Sequence, residues 1–271
     1  MRKCSFYSLG MIVTGKCNMD CAMCLHGKKD PTDMSDEIIE KTLEQTKSIG
    51  TLSICGGEAT LVIDRLEKII TYIIEHKIPL DEFTVTINGS IYSEELLRLL
   101  DEINNYIGEK TVNALFAISL DKYHLDEIKK LNIMNEFKEN IERYKESKFF
   151  YGYRQLDKKL FREGNAENLD SKLTVPLRPM KHYITYANKK AKFDKENGQC
   201  NIGPLVSINQ NGLITECDAS DIHQNTIYNY GNVLTDSIEE KIIEHGAQIL
   251  KPREYIRKCY RELKRYNTYN K

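Results

Sequence analysis

Apolar positions in the first 150 residues alternate between two periods. Tyr7–Thr14 is a short run dominated by Leu9, Met11, Ile12 and Val13, which reads as a buried strand. Ser35 then offers an N-cap with Asp36 and Glu37 in the first turn. Ile38, Ile39, Thr42, Leu43, Thr46 and Ile49 follow at helical spacing as far as Gly50. The alternation continues with a strand over 51–55 running into Gly56-Gly57-Glu58, and a helix carrying Leu66, Ile69, Ile70, Ile73 and Ile74. A third strand over 83–87 ends at Asn88-Gly89, and an amphipathic helix spans Leu96–Ile107. A fourth strand over 112–120, a charged helical stretch to Ser147 and a fifth strand over 149–153 complete the series.

Strands and helices alternating with short connections build right-handed βαβ units and a parallel sheet, with functional loops at the strand C-termini. A sixth strand is expected within Lys172–Tyr186, and eight do not fit. The expected fold is therefore α/β, a partial (β/α)6 TIM-like barrel over residues 1–187. Beyond it the pattern changes. Asn188–Gly198 is polar and lysine-rich, and Leu205–Asn209 and Leu213–Cys217 flank Asn211-Gly212, a hairpin signal. Ser237-Ile-Glu-Glu240 is a capping box. Residues 188–271 are expected to form a small β-hairpin plus helix module, which a metal would help to stabilise.

Charge and composition narrow the function. Lysine plus arginine number 39 and aspartate plus glutamate 40, for a net charge of −1, which argues against a protein that coats nucleic acid. A hydrophobic share of 41% with 29% charged residues fits a folded domain rather than a disordered chain. No apolar run reaches the ~18 residues of a membrane span. Met1-Arg2-Lys3 leads into a strand rather than a signal peptide, so a cytoplasmic, reducing location is expected. There, clustered cysteines read as metal ligands and scattered ones as buried apolar residues.

Of eight cysteines, three are clustered: Cys17-Asn-Met-Asp-Cys21-Ala-Met-Cys24 directly follows the first strand. Soft thiolates select zinc or iron–sulfur. His26 would complete a Cys3His zinc site; a [4Fe–4S] cluster on three cysteines would instead keep one iron open. The order Cys-x3-Cys-x2-Cys after strand one and Gly56-Gly57-Glu58 after strand two resembles the radical S-adenosylmethionine (SAM) superfamily. Asn88-Gly89 after strand three, with Ser119 and Asp121 after strand four, extends the resemblance, which covers residues 5–165. Met23 departs from it, since an aromatic residue often precedes the last cysteine.

The resemblance implies a mechanism. SAM binds the open iron through its amino and carboxylate groups, and one electron cleaves it to methionine and a 5′-deoxyadenosyl radical that abstracts a substrate hydrogen. Gly56, Gly57 and Glu58 would contact the SAM amino group, Ser119 and Arg154 its carboxylate, and Asn88 its ribose. Asp121 would also belong to the cofactor-binding set, and Asp121-Lys-Tyr-His124 would lie beside substrate. A flavodoxin or ferredoxin would supply the electron. Cys200, Gly212 and Cys217 around the hairpin resemble the opening of a SPASM/twitch extension, as does Tyr230-Gly231-Asn232-Val233. With Cys259 they would hold an auxiliary iron–sulfur cluster, Glu262 or Cys4 being candidates for the remaining ligand. Glu163-Gly164-Asn165-Ala166 is loosely similar to a Gly-Arg-Ala element of the family. The expected substrate is a peptide or protein side chain; alternatives are a small alcohol or sugar-like molecule, or electron transfer without SAM turnover.

Overall fold

The computed structural model describes residues 1–108, 111–154, 159–176, 178–216 and 228–268. Five strands, β1 (Cys4–Ile12), β2 (Thr46–Cys55), β3 (Leu80–Ile87), β4 (Ala114–Ser119) and β5 (Phe150–Arg154), lie side by side in chain order and all parallel. The connections carry α1 (Asp36–Glu44), α2 (Ile63–Glu75), α3 (Glu94–Ile107), and the pair α4 (Lys122–Lys130) and α5 (Met134–Lys145). This is an open, partial TIM-like barrel, as the alternating pattern implies.

Period-2 alternation gives the sheet two unlike faces. Ile49, Leu52, Phe83, Val85, Phe116 and Ile118 share one buried cluster with Leu66, Ile69, Leu99 and Ile103 of the helices. The other face is polar. Ser5 and Ser48 join hydroxyls, Thr51 donates to Glu82 Oε2 at 3.1 Å, and Ser53 and Thr84 bond at 3.0 Å. Helices cover the outside of such barrels, so the polar face is the inner one. Two hollows of about 580 and 390 Å³ open along it and share Glu82.

Two boundaries differ from the sequence reading. The helix α1 ends at Glu44 rather than at Gly50, because Thr46 and Ile49 pair with Cys4 and Phe6 in the sheet. The charged stretch splits at Asn132, whose φ of 57° is a left-handed conformation that Asn tolerates better than most residues.

A two-stranded ribbon, β6 (Leu160–Phe161) with β7 (Thr174–Val175), leads to the second half. There β8 (Tyr183–Ala187), β9 (Gln199–Gly203), β10 (Val206–Ile208), β11 (Leu213–Thr215) and β12 (Asn229–Asn232) are followed by α6 (Ile238–Glu244), β13 (Gln248–Ile249) and α7 (Pro252–Thr268). The strand expected within Lys172–Tyr186 forms as β8, but on the far side of β1 rather than next to β5. It runs antiparallel to β9, which lies parallel to the first half of β1, while β10 lies parallel to its second half. The hairpin expected around Asn211-Gly212 is β10–β11, and Ser237 caps α6 as anticipated. On either side of residue 187, β8 and β9 pair within one sheet that has 11 strands among the described residues. Among the described residues, no helix is long and apolar enough to cross a membrane.

Candidate functional site

The C-terminal ends of β1, β2 and β3 meet at the cysteine loop. After β2 the backbone turns against the loop: Gly57 N donates to Thr14 O and Glu58 N to Lys16 O, both at 2.7 Å. A Cβ on Gly57 would overlap the Lys16 carbonyl, and one on Gly56 would come within 2.8 Å of Thr14 O. This is why the motif needs two glycines: only a bare backbone approaches so closely.

Glu58 is 2% exposed, and burial pushes its carboxyl above the usual carboxylate range. Its Oε1 accepts from Thr60 N at 3.1 Å and Thr60 Oγ1 at 2.6 Å, and its Oε2 accepts from Asn88 N at 2.7 Å. Glu58 is thus a strut between the ends of β2 and β3. Asn88 is brought to the loop, donating from Nδ2 to Asn18 Oδ1 at 2.9 Å and approaching Cys17 Sγ at 3.9 Å. Asp121 caps α4, accepting from Tyr123 N and His124 N, and its Oδ2 meets His124 Nδ1 at 2.8 Å. These contacts make Asp121 the N-cap of α4 and pair it with His124. Ser119 and Arg154 stand side by side at the ends of β4 and β5, Ser119 half-buried and Arg154 exposed.

Cys21 is buried, and Cys17 and Cys24 are half-buried. Burial raises the Cys17 thiol to about 11 and the Cys21 thiol to about 12, and nearby thiols push in the same direction. Such thiols keep their protons at neutral pH unless a metal displaces them. Three soft sulfur donors on one loop fit an iron–sulfur cluster.

Several residues that the spacing did not point to hold this loop. Gly164, at φ 53°, lies so close to Cys24 O that no side chain fits. Asn165 N donates to Cys24 O at 2.9 Å and Asn165 Nδ2 to Cys21 O at 3.4 Å, so the Glu163–Ala166 element straps the loop without an arginine. Glu127 accepts from Asp20 N at 3.3 Å and pairs with Lys130. From the second half, Gln210 and Asn211 donate to Asp30 Oδ2 at 2.9 and 3.3 Å. Thr32 and these amides hold the Asp30 carboxyl down at about 2. The hairpin turn therefore docks on the loop. Asn–Asp contacts so far apart in sequence carry no local signal.

Of the expected auxiliary ligands, Cys200 and Cys259 lie apart. Cys200 lies directly opposite Cys4 in the β1–β9 ladder and belongs to the main core. Cys259 belongs to a separate cluster with Tyr183 and Tyr255, and its Sγ would lie 2.9 Å from a Cβ on Gly203. Residues 200 and 203 of one strand face opposite sides, so the two thiols lie across the sheet from each other. Cys217 falls outside the described residues. Cys55 ends β2, half-buried.

An open barrel with a trio of thiols after its first strand, and a glycine pair pressed against them, defines a metallocofactor site at the strand ends. Residues 11–153, more than half of the chain, match the radical SAM superfamily model. The chain belongs to that superfamily. It is similar in structure to native anSMEcpe with bound AdoMet and Cp18Cys peptide, with a TM-score of 0.45 and 12% identity over 93% of this chain and 82% of that one. It is also similar to Streptococcus suis SuiB bound to precursor peptide SuiA, with a TM-score of 0.41 and 13% identity over 87% of this chain and 64% of that one. The chain thus spans less than two thirds of the length of SuiB. No curated protein matches it.

Proposed function

We propose that the protein is a radical SAM enzyme that cleaves SAM reductively and takes a hydrogen atom from the side chain of a peptide substrate. The observation that carries the reading is the convergence of the Cys17–Cys24 loop, Gly56-Gly57 and Asn88 through backbone and amide hydrogen bonds. In this reading Cys17, Cys21 and Cys24 hold a [4Fe–4S] cluster, which supplies the electron that SAM cleavage requires. The chain's own residues position and shield that chemistry. The glycine pair brings the end of β2 against the loop, and Glu58 locks β3 to β2 so that Asn88 stays beside Cys17. Met19 and Met23, 2% and 6% exposed, supply apolar cover.

Ser119 and Arg154, neighbours at the ends of β4 and β5, are assigned to the SAM carboxylate in this reading. In this reading the substrate lies on the inner face, in the hollow of about 390 Å³ lined by Thr84, Ala117, Tyr153 and Arg154. That hollow lies at the β5 edge of the sheet, where an extended chain can offer one side chain. A flavodoxin- or ferredoxin-class protein delivers the electron. An auxiliary cluster on Cys200, Cys217 and Cys259 lies outside the reading, because Cys200 and Cys259 face opposite sides of β9.

Anaerobic incubation of the iron-reconstituted protein with SAM and dithionite tests the proposal. Release of 5′-deoxyadenosine is expected; its absence from protein holding a full cluster would sink the reading.

A further inference from the structure

At the opposite end of β1 from the cysteine loop, Cys4, Cys200 and Glu239 place two Sγ atoms and a carboxylate oxygen within 4.8 Å of one another. Eight strand steps of ~3.3 Å separate Cys4 from Ile12, so this cluster is roughly 26 Å from the start of the loop. It is independent of the radical chemistry. The geometry points to a binding site for a thiophilic divalent cation of the zinc class, held by Cys4, Cys200 and Glu239 with a water in the fourth position.

Each ligand is fixed by an element that must be where it is. Cys4 and Cys200 are ladder partners, 1% and 0% exposed. Glu239 is the second residue of α6, whose start is pinned by Gln45: Ile238 N donates to Gln45 Oε1 at 2.9 Å, and Gln45 O accepts from Cys4 N at 2.8 Å. The carboxylate is also oriented, since Tyr186 OH donates to Glu239 Oε1 at 2.7 Å. Oε2 has Arg2 Nε near it at 3.9 Å, beyond hydrogen-bond reach, which leaves that oxygen available to a cation. A hydrogen-bonded outer partner of this kind is what metal-binding carboxylates carry.

The charges close. Two thiolates and a carboxylate carry −3, a divalent cation brings the sum to −1, and the Arg2 guanidinium beside Glu239 brings it to zero. In the metal-free protein Cys4 Sγ donates to Arg2 O at 3.8 Å, a weak thiol contact that a cation would replace. Tetrahedral zinc with Zn–S of ~2.3 Å and Zn–O of ~2.1 Å would need its ligands under ~4 Å apart, a closure of less than about 1 Å from the present limit. The side chain of Glu239 is 13% exposed, which gives an ion and its water an entry path.

The test uses full-length, iron-loaded protein, so that the Cys17–Cys24 loop is already filled. It is incubated anaerobically with one equivalent of Zn²⁺, passed over a weak chelating resin and analysed for both metals. About one zinc per chain is expected beside the iron. Glu239→Gln keeps a hydrogen-bond acceptor for Tyr186 but removes a charged ligand, and should retain zinc at least ~10-fold more weakly, the lower end of what losing even an outer partner costs, judged by the chelator needed to strip it, with iron content unchanged. Cys200→Ser should lose zinc altogether; should it misfold, Glu239→Gln still decides. Wild type that retains no zinc, zinc retention indifferent to Glu239→Gln, or a mass 2 Da low from a Cys4–Cys200 disulfide would each overturn the proposal.

Discussion

The two ends of β1 carry cysteines in opposite physical settings. At its C-terminal end Cys17, Cys21 and Cys24 sit on a loop with no regular structure of its own. Backbone hydrogen bonds to Gly57, Glu58 and Asn165 hold it in place, together with the Asp30 contacts of the hairpin turn. At the N-terminal end Cys4 and Cys200 sit in strands and are placed by ladder register and core packing. The first arrangement brings neighbours in sequence together and depends on a few backbone approaches. The second joins residues nearly two hundred positions apart and depends on the whole sheet. Damage to the loop should therefore abolish chemistry and spare the fold, while damage to the second half should act on stability first.

The largest expected effect lies in the loop. Cys17→Ala, Cys21→Ala or Cys24→Ala should each abolish 5′-deoxyadenosine formation, because a vacated ligand position disturbs the whole cluster. Reconstituted wild type should carry about four irons per chain, the content of one cubane. Cys259→Ser should keep both the iron and the activity. Eight irons in wild type, or loss of half the iron in Cys259→Ser, would show that the second half carries a cluster after all.

Next comes a pH effect confined to the second half. His182 is buried, with Nε2 at 2.8 Å from Leu205 O, and burial lowers it from 6.5 to about 4. Above pH 6.5 the ring is neutral in both folded and unfolded chains. Between 6.5 and 4 the unfolded chain binds a proton that the folded one refuses, so the stability contributed by the neutral ring is lost as pH falls through that window. The advantage of wild type over His182→Gln should shrink by about 3 kcal/mol from pH 7 to pH 4, measured by urea unfolding. A pH-independent difference between the two proteins would contradict this burial.

Gly57→Ala sharpens the loop side of the comparison. Its Cβ overlaps the Lys16 carbonyl, so the backbone one residue before Cys17 must move. A displacement of about 1 Å is enough to cost ~100-fold in rate, and SAM cleavage should fall by that order while cluster content is kept. Wild-type turnover in this variant would mean that the glycine pair is not pressed against the loop.

What could be read from the chain follows the same division. The cysteine triplet, the glycine pair and the five parallel strands are local patterns, and each appears where the periodicity put it. The end of α1 was not legible, because Thr46 and Ile49 fit a helical period as well as a strand's; pairing with Cys4 and Phe6 decides it. The placement of β8 was not legible either, since Tyr183–Ala187 shows a strand but not which edge it joins. Cys200, Cys217 and Cys259 have a family-like spacing, yet strand alternation turns Cys200 toward Cys4 and Gly203 toward Cys259. Spacing along a chain does not say which face of a strand a residue takes once an irregular segment intervenes.

The smallest effect expected separates two roles for Glu58. Its carboxylate accepts three hydrogen bonds from Thr60 and Asn88, and a glutamine in its place has a single acceptor oxygen. With the amide oxygen toward Asn88 N, the new NH2 group can donate to Thr60 Oγ1, but the Thr60 N–H is left without its partner. The reverse orientation sets NH2 against the Asn88 N–H. Either way one buried backbone donor is stranded, at a cost of about 1–3 kcal/mol. Glu58→Gln should therefore lower the urea midpoint in the absence of SAM, with an unchanged m-value. A carboxylate that faced SAM instead would leave the ligand-free stability intact and weaken SAM binding alone. That result would return Glu58 from a strut between β2 and β3 to a direct ligand contact.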